Sequence, residues 1–92
     1  MTFEWDENKD RINYWKHGIR FETATRVFAD PMRIEMFDVE HSGYEDRFIT
    51  IGLVGGCLQV VTVVYTERDD SIRMISARLA NSKEKELYYG RT

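Results

Sequence analysis

The sequence has one cysteine, one proline, two histidines and no long unbroken apolar run. A lone Cys57 cannot close an internal disulfide, so the core alone must hold the fold, as in a reducing, cytoplasmic compartment. The most apolar stretch, residues 49–65, is broken by Gly52, Gly55, Gly56, Gln59 and two threonines. That pattern suits two strands and excludes a membrane-spanning helix there. No charged start precedes an apolar segment, so no signal peptide is expected. With 92 residues there is room for one domain, residues 1–92, and a small core. Apolar residues at 42% and charged ones at 32% are enough to exclude a disordered chain.

Positive charge is also short. The net charge is −3, which speaks against a general nucleic-acid binder. The deficit is uneven. Residues 1–46 carry 6 basic and 11 acidic side chains, whereas residues 47–92 carry 7 and 5. A local basic face in the second half therefore remains open to phosphate.

What is present reads as helices, then strands, then a helix. Phe3-Glu4-Trp5 has the makings of a short strand. Asp6 can cap a helix running to Lys16, with Gly18 just past its end. Ile12, Trp15 and Ile19 fall on one stripe and are expected to face the core. A second helix over residues 21–28 would bury Phe21, Ala24, Val27 and Phe28 before Asp30-Pro31 stops it. The period then changes to two. Strands are expected over 33–38, around 49–53, over 58–66 and over 71–79. Gly55-Gly56 and the polar run 67–70 supply the turns. The 58–66 strand is apolar on both faces and should be central. Asn81 with Glu84 forms a capping-box pattern for a last helix that docks through Leu87 and Tyr88. The class expected is α+β: two N-terminal helices, a four-stranded antiparallel sheet and a C-terminal helix.

Six segments, taken in order, carry a resemblance. They are residues 3–9 (FEWDENK), 13–21 (NYWKHGIRF), 27–31 (VFADP), 45–52 (EDRFITIG), 63–68 (VVYTER) and 72–78 (IRMISAR). Together they resemble the BrnT family of type II toxins. The resemblance implies a RelE-like fold and a cytoplasmic ribonuclease. It also implies neutralisation by a BrnA-like ribbon-helix-helix antitoxin, in a complex of two copies of each chain that touches operator DNA only through the antitoxin. Two features depart from the pattern: Arg20 stands where relatives often have a small capping residue, and the last helix is less basic.

RelE-like enzymes are similar to one another in cleaving RNA without metal or cofactor. The substrate's 2′-hydroxyl attacks the adjacent phosphate, and arginines, lysines and tyrosines on the sheet supply charge and protons. The resemblance thus implies Arg47, Arg73, Arg78 and Tyr65 as catalytic candidates, with Glu45 orienting a strand arginine. Arg78, near the end of its strand, is favoured for phosphate. Arg73 and Arg78 lie five apart. On a regular strand they point to opposite faces unless a bulge intervenes. Lys16, His17, Arg68, Trp5 and Lys83 are candidate RNA contacts. Each also has a plain structural reading: helix capping for Lys16-His17, edge protection for the arginines, core aromatics for Tyr65 and Trp5. Asp38, Glu40, His41, Glu45 and Asp46 form an acidic run around a loop, but without dedicated ligand spacing, so no metal site is assigned. The competing function is a non-catalytic protein of the same fold that acts only in an antitoxin–operator complex.

Overall fold

The computed structural model describes residues 1–56 and 58–90, so Cys57 lies outside the described residues. Local signals set the helices. Helix α1, Glu7–His17, begins where the Asp6 carboxylate accepts hydrogen bonds from the Asn8 and Lys9 backbone N–H groups. It ends at Gly18, whose φ of 74° is the left-handed conformation that a side chain disfavours. The second predicted helix is split. Helix α2, Phe21–Ala24, runs into a tighter 3-10 segment, Thr25–Ala29. Helix α3, Ser82–Tyr89, starts with the complete reciprocal pair expected of Asn81 and Glu84.

Among the described residues the sheet has five strands: β1 (Thr2–Glu4), β2 (Ile34–Phe37), β3 (Arg47–Val54), β4 (Gln59–Arg68) and β5 (Ser71–Leu79), in spatial order β1-β5-β4-β3-β2. The four-stranded antiparallel meander is present, with β4 central as its two apolar faces require. The expected strand count is corrected by β1, which adds to β5 in parallel. Its register partners lie almost 70 residues away in sequence, at Ser71–Arg73, beyond the reach of local pattern.

One face of the sheet is covered by α1, α2 and the 3-10 segment. Phe21, Ala24, Val27 and Phe28 pack there on Val54, Val61, Val63, Tyr65, Met74 and Ala77. At Gly52 an added Cβ would lie 2.7 Å from Val27 Cγ1, so the strand tolerates only glycine under the 3-10 segment. The other face is covered only in part. There Tyr88 of α3 packs with Ile51, Val60 and Ala80, flanked by Ile34, Ile49 and Leu53.

Of the apolar stripe expected along α1, only Ile19, just past the helix end, is buried in the core. Trp15 is 84% exposed and Ile12 is exposed too, while Asp10 and Asn13 are buried. The reason lies in backbone groups that need partners. β1 is too short to pair the whole of β5. The Asn13 carboxamide takes over at that edge, accepting from the Ala77 N–H (3.1 Å) and donating to the Ala77 carbonyl (2.9 Å). Asp10 accepts from the Phe21 N–H at 2.7 Å and from Arg20 Nε at 3.1 Å. It thereby caps α2 in place of the side chain at Arg20, which makes no cap bond. No helix among the described residues is long and apolar enough to cross a membrane.

Candidate active face

β5 breaks its own alternation. Tyr65 pairs with Met74 and Val64 with Ser76, so Ile75 is one extra residue in the ladder. Met74 and Ala77 are in the core. Arg73, Ile75, Ser76 and Arg78 therefore all belong to the less covered face. The bulge brings together two arginines that strict alternation would separate.

The register then draws a row across that face. Arg47 of β3 stands opposite Thr66 of β4, Thr66 opposite Arg73 of β5, and Arg73 opposite Glu4 of β1. Arg73 Nη1 is 3.8 Å from the Glu4 carboxylate, a loose pair. Thr66 Oγ1, between the two arginines, is buried and has no hydrogen-bond partner among the described residues. Nearer to α3, Arg78 and Glu84 form a fork, Nη1–Oε1 at 2.7 Å and Nη2–Oε2 at 2.9 Å. Glu84 Oε1 also accepts from Thr62 Oγ1 at 3.0 Å and from the Asn81 N–H at 2.9 Å. Burial pushes the Glu84 carboxyl up, but these bonds and the Arg78 charge together hold it below the usual glutamate range. Its bond to Glu84 raises Arg78 further still.

A shallow groove of about 350 Å³ runs along this face between Arg47 and Arg78. Ile49, Val64, Ile75 and Ser76 form its floor, and Asp38, Glu40 and His41 of the β2–β3 loop form its wall. The loop residue Glu45 pairs with Arg68 at 2.7 and 3.1 Å, with both side chains about half exposed. That bond, against desolvation and with help from the charges of Arg68, Arg73 and Arg47, holds the Glu45 carboxyl below its ordinary value.

The other sequence candidates sit elsewhere. Tyr65 is on the helix-covered face, stacked on Phe48 and edge-on to Phe28. Burial first, then Glu35 and Glu67, push its hydroxyl up to about 12. The sheet separates it from the arginine row, because strand neighbours alternate faces and Tyr65 adjoins Thr66. Trp5 packs edge-on against Phe21 in the same core. Lys16 and His17 are exposed at the end of α1 and Lys83 on the first turn of α3, and none of the three lines the groove. The sequence reading passed over the pair His41–Asp38, whose spacing of three residues inside a turn was the available signal. Among the described residues no three His, Cys, Asp or Glu side chains group closely enough to hold a metal ion.

No curated protein matches the chain. Residues 5–84 match the family model described as the ribonuclease toxin, BrnT, of type II toxin-antitoxin systems. That span takes in the arginine row, both residues of the Arg78–Glu84 fork and the whole β2–β3 loop, and by it the chain belongs to the BrnT family of ribonuclease toxins.

Proposed function

We propose that this chain is an endoribonuclease that cleaves RNA without metal on the partly uncovered sheet face, in the RelE-like manner. The observation that carries the reading is the bulge at Ile75, which sets Arg73 and Arg78 on one face with Arg47. Three guanidiniums there can surround a phosphate whose negative charge grows as the 2′-oxygen attacks. The orphaned Thr66 hydroxyl beneath two of them can donate to a phosphate oxygen. Arg78 is positioned by Glu84, which fixes its fork so that little freedom is lost on binding. Glu45 and Arg68 form the edge of the site. Tyr65, behind the sheet, has no part in it. The chain works against a BrnA-like ribbon-helix-helix antitoxin in the cytoplasm, in a complex of two copies of each. It reaches operator DNA only through that partner.

The test is cleavage of a long transcript by the purified chain, freed of antitoxin, in excess chelator. Cleavage should persist and yield 2′,3′-cyclic phosphate ends. Activity that disappears in chelator and returns with a divalent ion would refute the metal-free reading.

A further inference from the structure

The loop that walls the groove is tied down at both ends. The Asp38 N–H donates to the Arg47 carbonyl at 2.8 Å. Ser42 Oγ donates to the Asp38 carbonyl at 2.7 Å and accepts from the Arg47 N–H at 3.0 Å. The buried Asp38 is thereby fixed relative to the first residue of β3. Its two carboxylate oxygens each lie 3.1 Å from His41 Nδ1. A carboxylate only accepts, so Nδ1 carries a proton, and in the neutral ring Nε2 then holds the lone pair. Nε2 has no partner among the described residues. The His41 side chain is 64% exposed and lines the groove together with Arg47 and Arg78. A loop histidine serving only as a surface contact has no need of a buried carboxylate locking its tautomer beside two arginines.

We propose that His41 is the general base of the cleavage reaction and that Asp38 is its positioning residue. The inference rests on the ribonuclease reading of this face and adds the proton acceptor that the arginines cannot provide. His41 Nε2 takes the proton of the 2′-hydroxyl as the 2′-oxygen bonds to phosphorus and the bond from phosphorus to the 5′-oxygen breaks. Solvent water protonates the departing 5′-oxygen, and the imidazolium returns its proton to solvent. The products are a 2′,3′-cyclic phosphate and a free 5′-hydroxyl, with no co-reactant consumed. Asp38 holds the ring and stabilises the imidazolium while it lasts.

The experiment measures single-turnover cleavage of one transcript across pH, with binding of the same RNA measured in parallel. His41→Ala should cleave about a hundredfold more slowly or worse, with binding unchanged. Free imidazole should restore part of its rate and none of the rate lost in Arg47→Ala. The wild type should lose rate toward acid, and that fall should vanish in His41→Ala. The charged groups facing His41 are Asp38 and Glu40 of its loop, Arg47 of β3, Arg78 of β5 and Glu45 beside Arg47. All remain in that variant, so the lost limb reports the imidazole. Asp38→Asn should lower the rate while leaving RNA binding in place. His41→Gln serves as the second variant if His41→Ala proves unstable. If both His41 variants cleave within threefold of wild type while Arg47→Ala is inactive, His41 is not the base and the ribonuclease face stands. If the Arg47→Ala/Arg78→Ala double variant folds and cleaves like wild type, the face itself is wrong, and His41 with it.

Discussion

Arg73 and Arg78 stand five residues apart on one strand and still leave the sheet on the same side, because Ile75 is an extra residue between the pairs Tyr65–Met74 and Val64–Ser76. Substitution separates their roles from simple edge protection. Arg47→Ala, Arg73→Ala and Arg78→Ala should each slow cleavage a hundredfold or more, as loss of a placed cation at a transition state costs about 3–4 kcal/mol. Arg73→Ala should change stability by about 1 kcal/mol at most, since its pair with Glu4 is long and solvent-screened. Cleavage assays beside thermal melts check this. A folded triple variant with full activity would move the site off this face.

The Arg78–Glu84 fork should give the fold an acid-sensitive contribution. Glu84 has a folded-state value below its ordinary one, so its bonds stabilise the fold at pH above the ordinary glutamate range. That contribution drains away as the pH falls through the depressed folded value. Arg78, 40% exposed on its side chain, is screened, which limits Arg78→Ala to about 1 kcal/mol of stability. Urea titrations on the acid side of neutrality should show a shallower pH dependence for Glu84→Gln than for wild type. An unchanged slope would mean that the fork contributes nothing to folding.

Helix α1 offers a contrast between an apolar side chain outside the core and a polar one inside it. Trp15→Ala should leave the melting temperature nearly unchanged, because the indole is 84% exposed. Asn13→Ala should cost roughly 1–3 kcal/mol, since it strips buried backbone groups of Ala77 of their partner. Denaturant melts of the two variants decide it. A larger loss from Trp15→Ala than from Asn13→Ala would restore the apolar stripe as the packed face.

These cases show where the sequence was legible. Caps are set by neighbours in the chain, so Asp6, Gly18 and the Asn81–Glu84 box could be read directly. The alternation of β3 and the doubly apolar run of β4 were likewise visible. The packed face of α1 was not, because its buried residues are polar and serve the backbone of α2 and β5 rather than the hydrophobic core. β1 escaped the count because its pairing is non-local. At the site, residue types pointed to Arg47, Arg73 and Arg78, but the face each takes depends on a bulge that leaves no mark in composition. Tyr65 went to the core for a related reason, since the pleat of β4 decides which way it turns, and Trp5, just past β1, packs against Phe21. His41 was hidden among acidic neighbours, since its link to Asp38 is a matter of loop geometry.

A type II toxin must be held inactive, and the face that carries the arginines is the one α3 leaves partly uncovered. An antitoxin segment should therefore lie over the groove of Arg47, His41 and Arg78 and exclude RNA from it. Its contact should bury more than about 1,000 Å², the size of a specific interface. Arginines on this face would pair with acidic or carbonyl groups of that segment. The acidic residues 1–46 would accept a basic arm. With 16 acidic against 13 basic side chains, this chain should bind DNA poorly by itself. Operator recognition and dimerisation should then reside in the antitoxin, as they would in a ribbon-helix-helix partner. Co-expression, sizing and operator-shift assays should give two copies of each chain, bound to DNA only when the antitoxin is present. Arg47→Ala and Arg78→Ala should weaken antitoxin binding as well as cleavage, because both ligands compete for one face. A toxin that still cleaves RNA at wild-type rate inside the complex would show that the antitoxin docks elsewhere.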